Sequence, residues 1–128
     1  MSTIMIVGAT RGIGLELTKQ YAKEGNQVIA CARDTGNASL LDEAVSGSDN
    51  ITIEQLDIAD PGSIESASSR IGESIIDSVI IVAGSVGGMP DNQSIDNIDI
   101  AEWHNTLNTN TVGPLLVAKA FKSNLAAS

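Results

Sequence analysis

Residues 3–14 read TIMIVGATRGIG, and this stretch decides the fold of the chain. Thr3 to Val7 is a short β-branched run, typical of a strand, and it stops at Gly8. Apolar residues then recur at helical spacing and predict one face of an amphipathic helix: Ile13, Leu17 and Tyr21. A strand that enters a helix through a glycine-rich turn is the beginning of a parallel β-α-β unit.

Strand-like and helix-like segments alternate along the rest of the chain. Further strands are predicted at Gln27 to Cys31, around Ile51 to Leu56, and at Ile75 to Ala83, the last as a strand buried on both faces. Further helices are predicted at Leu40 to Val45, after Asp60-Pro61 as cap and first residue, and from about Ile100 to Ala127. The alternation predicts an α/β fold with a parallel sheet, in one domain over residues 1–128.

Composition excludes several classes of function. Of the 128 residues, 42% are hydrophobic but only 2% aromatic, which suits aliphatic strands covered by helices. Seven Lys plus Arg against sixteen Asp plus Glu give a net charge of −9, so nucleic acid and anionic membrane surfaces are poor partners. The single cysteine, Cys31, excludes an internal disulfide and a cysteine-built metal site. No metal site is expected, and the expected location is cytoplasmic, because the first apolar run is too short for a signal or a membrane span.

The glycines at positions 8, 12 and 14 suit a loop that binds a diphosphate. Glycine permits a tight turn and close approach of the backbone, and the helix that follows offers free N–H groups and a positive dipole end to an anion. The alternative is an ordinary strand-to-helix turn that is rich in glycine.

Four motifs in order resemble the short-chain dehydrogenase/reductase family. They are GATRGIG (Gly8 to Gly14), LDIAD (Leu56 to Asp60), VAG (Val82 to Gly84) and AEWHNTLNTNTVGPLL (Ala101 to Leu116). The resemblance implies a doubly wound, Rossmann-like sheet, truncated here to about four strands in the order 3-2-1-4 with flanking helices. Ile81-Val82 departs from the family, which usually has two asparagines there.

The resemblance also implies which residues contact a nicotinamide dinucleotide. In the cofactor loop and at the end of the second strand these are Gly8, Thr10, Arg11, Gly12, Ile13, Gly14 and Arg33; further along the chain they are Asp57, Ile58, Ala83 and Gly84. Asn110 occupies the family's proton-relay position. Pro114 lies four residues later and, lacking an N–H, leaves the Asn110 carbonyl without its helical partner.

The choice of cofactor depends on the residues after the second strand. An acidic side chain there binds a ribose 2′-hydroxyl, whereas arginine suits a 2′-phosphate. Ala32 occupies the acidic position, Arg33 is next to it, and Arg11 lies in the glycine loop, which favours NADP over NAD. In the alternative reading Arg33 is solvated, Asp34 binds the hydroxyl, and the cofactor is NAD.

The family's chemistry requires a serine and a Tyr-x-x-x-Lys pair that lie beyond the matched motifs. The only tyrosine here, Tyr21, is followed four residues later by Gly25, and Ser85 follows the wrong strand to replace the serine. We therefore expect a truncated homologue that binds cofactor but transfers hydride slowly or not at all. Two alternatives are a residually active or complemented carbonyl reductase or alcohol dehydrogenase, and a self-associating scaffold without nucleotide.

The resemblance implies that a fifth strand normally lies beside the fourth, and its absence here predicts self-association. An apolar edge at Ile75 to Ala83 and the bared face of the last helix favour pairing with another chain. The expected partner is a second copy, bound through that edge, that helix or both.

Overall fold

Four parallel strands form the centre of the computed structural model, which describes residues 1–88 and 90–128. The strands are β1 (Thr3–Val7), β2 (Gln27–Ala32), β3 (Ile51–Gln55) and β4 (Ser78–Ile81), in the order β3-β2-β1-β4. Val7 lies opposite Cys31 on one side and opposite Ile81 on the other. The expected order 3-2-1-4 is confirmed.

Six α-helices connect or flank the described strands. They are α1 (Gly12–Lys23), α2 (Ser39–Ser46), α3 (Pro61–Ile71), α4 (Ile100–Leu107), α5 (Gly113–Ala120) and α6 (Lys122–Ala126). As predicted, Asp60 begins α3: its carboxylate accepts the N–H of Gly62, and Pro61 is the first helical residue. Short 3₁₀ turns lie at Thr35–Asn37, Pro90–Gln93 and Ile95–Asn97.

The sheet buries both of its faces, since alternate residues of β1 belong to different core clusters. Ile4 and Ile6 pack with α1 and α2, where Leu41 is fully buried. Met5 and Val7 pack with α3, α5 and the Phe121 side chain on the opposite face. This is the doubly wound arrangement, and it leaves the carboxyl ends of the strands at one edge.

Three predicted elements differ from the structure: α1, β4 and the last helix. Ile13 does not lie on the buried face of α1: its side chain is 72% exposed, and the buried face runs through Leu15, Thr18 and Ala22. The fourth strand is shorter than predicted and only half-buried, because β1 covers one of its two edges and Ile75 turns to solvent.

The long C-terminal helix is interrupted twice. Residues Asn108–Val112 form a wider π-helical turn, in which the N–H of Gly113 donates to the carbonyl of Asn108. Pro114 follows directly, and a proline lacks the N–H that would continue the regular ladder. A second break at Phe121 separates α5 from α6.

Candidate functional site

The carboxyl edge of the sheet gathers most of the residues that the sequence analysis singled out. Because the strands are parallel, the loops that follow them share this edge, and they carry Gly8, Arg33, Asp57 and Gly84 in turn. The first three of these loops are neighbours in the order β3-β2-β1, and Gly84 follows β4 on the far side.

The turn after β1 passes very close to the end of β4. Gly8 has a φ of +96°, and a Cβ added there would lie 2.8 Å from the backbone nitrogen of Ala83. The Val7 carbonyl accepts the N–H groups of Val82 and Ala83, at 3.0 and 3.1 Å. Position 8 therefore requires glycine for its conformation and for the closeness of the neighbouring strand.

The start of α1 is packed directly against this turn. A Cβ at Gly14 would collide with the carbonyl oxygen of Gly8 and lie 2.8 Å from the Val82 side chain. Gly12 differs, since it has a φ of +55° and no described atom lies within 4 Å of its added Cβ. Glycine is thus needed for packing at position 14 and for backbone conformation at position 12.

The N-terminus of α1 is open to a ligand. Arg11 is the capping residue, yet within the described part of the chain its side chain makes no capping hydrogen bond, and the first turn holds no acidic residue. Arg11 and Ile13 are exposed, and Thr10 between β1 and the helix is half-buried. Free N–H groups beside an arginine favour an anion at this place.

The loop after β2 carries the two candidates for recognition of the ribose, Arg33 and Asp34, which differ in their hydrogen bonds. Arg33 and Asp34 are both exposed. The Asp34 carboxylate accepts the N–H of Gly36 at 3.0 Å and so begins the 3₁₀ turn. The Arg33 backbone carbonyl accepts a hydrogen bond from the Gln55 side chain, also at 3.0 Å.

Asp57 is held at the end of β3. One oxygen of the Asp57 carboxylate accepts the N–H of Ala59. The backbone N–H of Asp57 donates to the hydroxyl of Ser63 at 2.8 Å. The carboxylate thus shapes the turn between β3 and α3. The Ile58 side chain is buried against α5, in the same core cluster as Val117.

An open cavity of about 460 Å³ lies beyond the end of β4. Its lining includes Ala83, Gly84, Ser85, Asn110 and Pro114. The Asn110 amide accepts the N–H of Ser85 at 2.7 Å and donates to the Ser85 carbonyl at 2.6 Å. The structure therefore brings Asn110 to the same cavity as Ala83 and Gly84.

Sequence reasoning missed three residues that shape this edge. A Cβ at Gly113 would collide with the Ile58 carbonyl, so this glycine lets α5 approach the loop that holds Asp57. An isolated glycine inside a helical pattern was the available signal. Gln55, the last residue of β3, and Ser63 of α3 form side-chain hydrogen bonds with each other and with the neighbouring loops, and nothing in the local sequence marks them.

Other groups offer no further chemistry at this edge. Burial raises the pKa of the Cys31 thiol to about 12, with a smaller contribution from the charge of Glu54. In residues 1–88 and 90–128, no group of three or more metal-ligating side chains occurs. Nor does that part of the chain contain a helix long and apolar enough to cross a membrane.

Comparison with known proteins agrees with this architecture. A family model described as short chain dehydrogenase matches residues 2–128. The NADPH-dependent pterin aldehyde reductase of Arabidopsis thaliana is 28% identical over 121 residues, which are 93% of this chain and 49% of that enzyme.

Two solved structures have the same fold over nearly the whole chain. A short-chain dehydrogenase/reductase from Burkholderia multivorans with bound NADP has a TM-score of 0.88 at 26% identity, covering 96% of this chain and 53% of that one. A carbonyl reductase from Pseudomonas aeruginosa in complex with NADP has a TM-score of 0.88 at 30% identity, covering 97% and 56%. The chain thus spans about half the length of these relatives.

Proposed function

Because this chain belongs to the short-chain dehydrogenase/reductase family, we propose that its glycine-rich edge binds a nicotinamide dinucleotide, with NADP preferred to NAD. The observation that carries the proposal is the Gly8–Gly14 turn, which presents the open N-terminus of α1 at the carboxyl edge of a parallel sheet. When bound, such a cofactor supplies or accepts a hydride.

The diphosphate fits the first turn of α1. The leading N–H groups of a helix have no partner within the helix, and the dipole places partial positive charge there. Gly12 places no side chain in the open approach, Gly14 lets the helix pack closely on the turn, and Thr10 and Arg11 flank the site. In a chain with a net charge of −9, this local arrangement is what makes an anion site favourable.

Arg33 and Arg11 are the proposed partners of the 2′-phosphate. In the alternative, Asp34 binds a 2′-hydroxyl through the carboxylate oxygen that the Gly36 N–H does not occupy. An arginine fork matches a phosphate group in shape and charge. The NADP in the two bacterial structures and the NADPH dependence of the Arabidopsis relative support the same cofactor.

The remaining contacts follow the order of the strands. Asp57 and the Ile58 backbone are proposed to contact the adenine, using the carboxylate oxygen that the Ala59 N–H does not occupy. Ala83 and Gly84 are proposed to meet the nicotinamide half, since both line the open cavity after β4.

We propose little or no hydride transfer by these 128 residues alone. Asn110 stands at the proton-relay position, but the only tyrosine, Tyr21, lies half-buried in α1 and packs against the core, far along the chain from the cavity residues. The alternative is a residually active carbonyl reductase or alcohol dehydrogenase, complemented by another chain that supplies the acid.

We further propose that copies of this chain associate. β4 is paired on one side by β1, and α5 exposes Leu115 to 70%. Exposed apolar surface beside a strand edge favours a second copy as cover.

A cytoplasmic location is proposed from cysteine use, because the only cysteine is buried and free.

Titration with NADPH and NADH tests the proposed function. We expect saturable enhancement of the fluorescence of the reduced nicotinamide, with a lower Kd for NADPH. If neither cofactor saturates the protein at millimolar concentration, the proposal is overturned. The remaining hypothesis is then a self-associating scaffold that binds no nucleotide. Oxidation of NADPH with a panel of carbonyl compounds tests the active alternative, and sustained turnover would contradict the proposed inactivity.

A further inference from the structure

Side-chain hydrogen bonds join the loop after β2 to the loop after β3, and Gln55 lies at their centre. The Nε2 of Gln55 donates to the Arg33 carbonyl, and its Oε1 accepts the Ser63 hydroxyl, each at 3.0 Å. The Ser63 oxygen in turn accepts the N–H of Asp57 at 2.8 Å. Each of these polar groups thus has a partner of the right kind.

We propose that Gln55 is a positioning residue that sets cofactor choice by holding the backbone of Arg33. This inference rests on the proposed binding of NADP. Arg33 follows directly on β2 and is exposed, whereas its backbone carbonyl is held by the Gln55 amide. When the Arg33 carbonyl is held in place, the Arg33 side chain can extend from the backbone in fewer directions. Less conformational entropy is then lost when this side chain binds the 2′-phosphate.

The effect should be selective for the phosphorylated cofactor. NADPH and NADH share the adenine, both riboses and the diphosphate, and differ only at the 2′ position that Arg33 is proposed to meet. The Asp57 N–H donates to the Ser63 hydroxyl and not to Gln55, so we expect this bond, and with it the adenine end of the site, to be kept when the Gln55 amide is replaced.

The end of β3 does not depend on the Gln55 side chain. The Nη2 of Arg70 donates to the Gln55 backbone carbonyl at 2.7 Å, and its Nε pairs with Glu54 at 2.9 Å. In addition, Gln55 lies opposite Ala32 in the pairing of β3 with β2. Replacing the side chain therefore removes the bond to Arg33 without removing the contacts that hold the strand.

Cofactor titrations of Gln55→Met test the inference, with Gln27→Met as the matched control. Gln27 is the exposed first residue of β2, at the opposite edge of the sheet. For Gln55→Met we expect the Kd of NADPH to rise about threefold to tenfold, the range for one lost hydrogen bond, and the Kd of NADH to change less than about twofold. The control should change neither Kd.

A second variant and a second measurement complete the test. Gln55→Asn keeps the amide but is too short to span both partners, and we expect the same selective rise. Hydrogen exchange at the N–H groups of Gly36 and Asn37 should be faster in both variants. An equal rise in both Kd values, or an unchanged NADPH/NADH ratio, would overturn the role of Gln55 while the proposed function stands. If the unaltered chain binds neither cofactor, both proposals fall.

Discussion

The side-chain amide of Asn110 pairs with the backbone of Ser85 through two hydrogen bonds, one in each direction. This pair joins the π-helical turn to the loop after β4 across 25 positions of the chain. A Cβ at Gly84 would lie 3.4 Å from the same Asn110 oxygen, so the two segments are in close contact. The Asn110 side chain therefore holds the part of this loop that lines the open cavity.

Replacing Asn110 with alanine should release this loop. We expect the free energy of unfolding to fall by about 0.5 to 1.5 kcal/mol, because both bonds are exposed to solvent and water replaces them in part. Amide exchange at Ser85 should become faster. Asn105→Ala is the control, since Asn105 is an exposed asparagine of the neighbouring helix α4. Equal effects of the two substitutions in urea unfolding would contradict the prediction.

Alanine substitutions of two glycines, one at each end of α1, distinguish an effect on backbone conformation from an effect on ligand binding. Gly12 and Gly25 both have positive φ, and an added Cβ at either meets no described atom within 4 Å. Alanine at each should cost about 1 kcal/mol of stability for the same backbone reason. Only Gly12→Ala should weaken NADPH binding, by about tenfold or more, because its methyl group would stand in open space within the proposed diphosphate loop. Equal Kd values for both variants would count against the glycine loop as the site.

Arg33→Asp should reverse the cofactor preference. A carboxylate at this position repels a 2′-phosphate and accepts a hydrogen bond from a 2′-hydroxyl, so we expect weaker NADPH binding and stronger NADH binding. Lys23→Asp makes the same change of charge in the last turn of α1, at the other edge of the sheet. An unchanged NADPH/NADH ratio in Arg33→Asp would refute the assignment of the 2′ site.

A charge on the exposed face of α5 should dissociate the proposed oligomer. We expect sedimentation velocity to show a species larger than one chain, and Leu115→Glu to shift it towards the monomer. Leu40→Glu is the control, because Leu40 is also an exposed leucine, at 54%, but lies on α2. A monomer in the unaltered chain, or equal dissociation by both variants, would contradict association through this face.

The Cys31 thiol should make stability fall with pH in the alkaline range. Its pKa in the folded chain is about 12, raised from 9.0 mainly by burial. Between these values the unfolded thiol loses its proton while the folded one keeps it, so ionisation favours unfolding as the pH rises. Urea unfolding should therefore show a steeper loss of stability above about pH 9 in the unaltered chain than in Cys31→Ala. Parallel pH curves would contradict this.

The fold was largely predictable because its signals are local. The β-branched run before Gly8, the glycine turn and the Asp60-Pro61 start of α3 each depend on neighbouring residues, and all three appear in the structure. The prediction that Ile13 lies on the buried face of α1 was wrong. Helical spacing shows that one side of the helix is apolar, but it does not show that the first turn extends past the edge of the sheet. The prediction for β4 was also wrong: the strand is shorter than predicted and half-buried, because its burial depends on what lies beside it in the sheet.

The amino-acid sequence by itself determined the parallel architecture, the glycine turn and the pair of arginines near the proposed 2′ site, since propensity, turn conformation and charge act over a few residues. Only the tertiary structure decided that Asn110 holds Ser85, that Gly113 is required by the Ile58 carbonyl, and that Gln55 joins Arg33 to Ser63. These contacts join residues that are 8 to 55 positions apart, and the approach of their backbones follows from how the helices pack on the sheet.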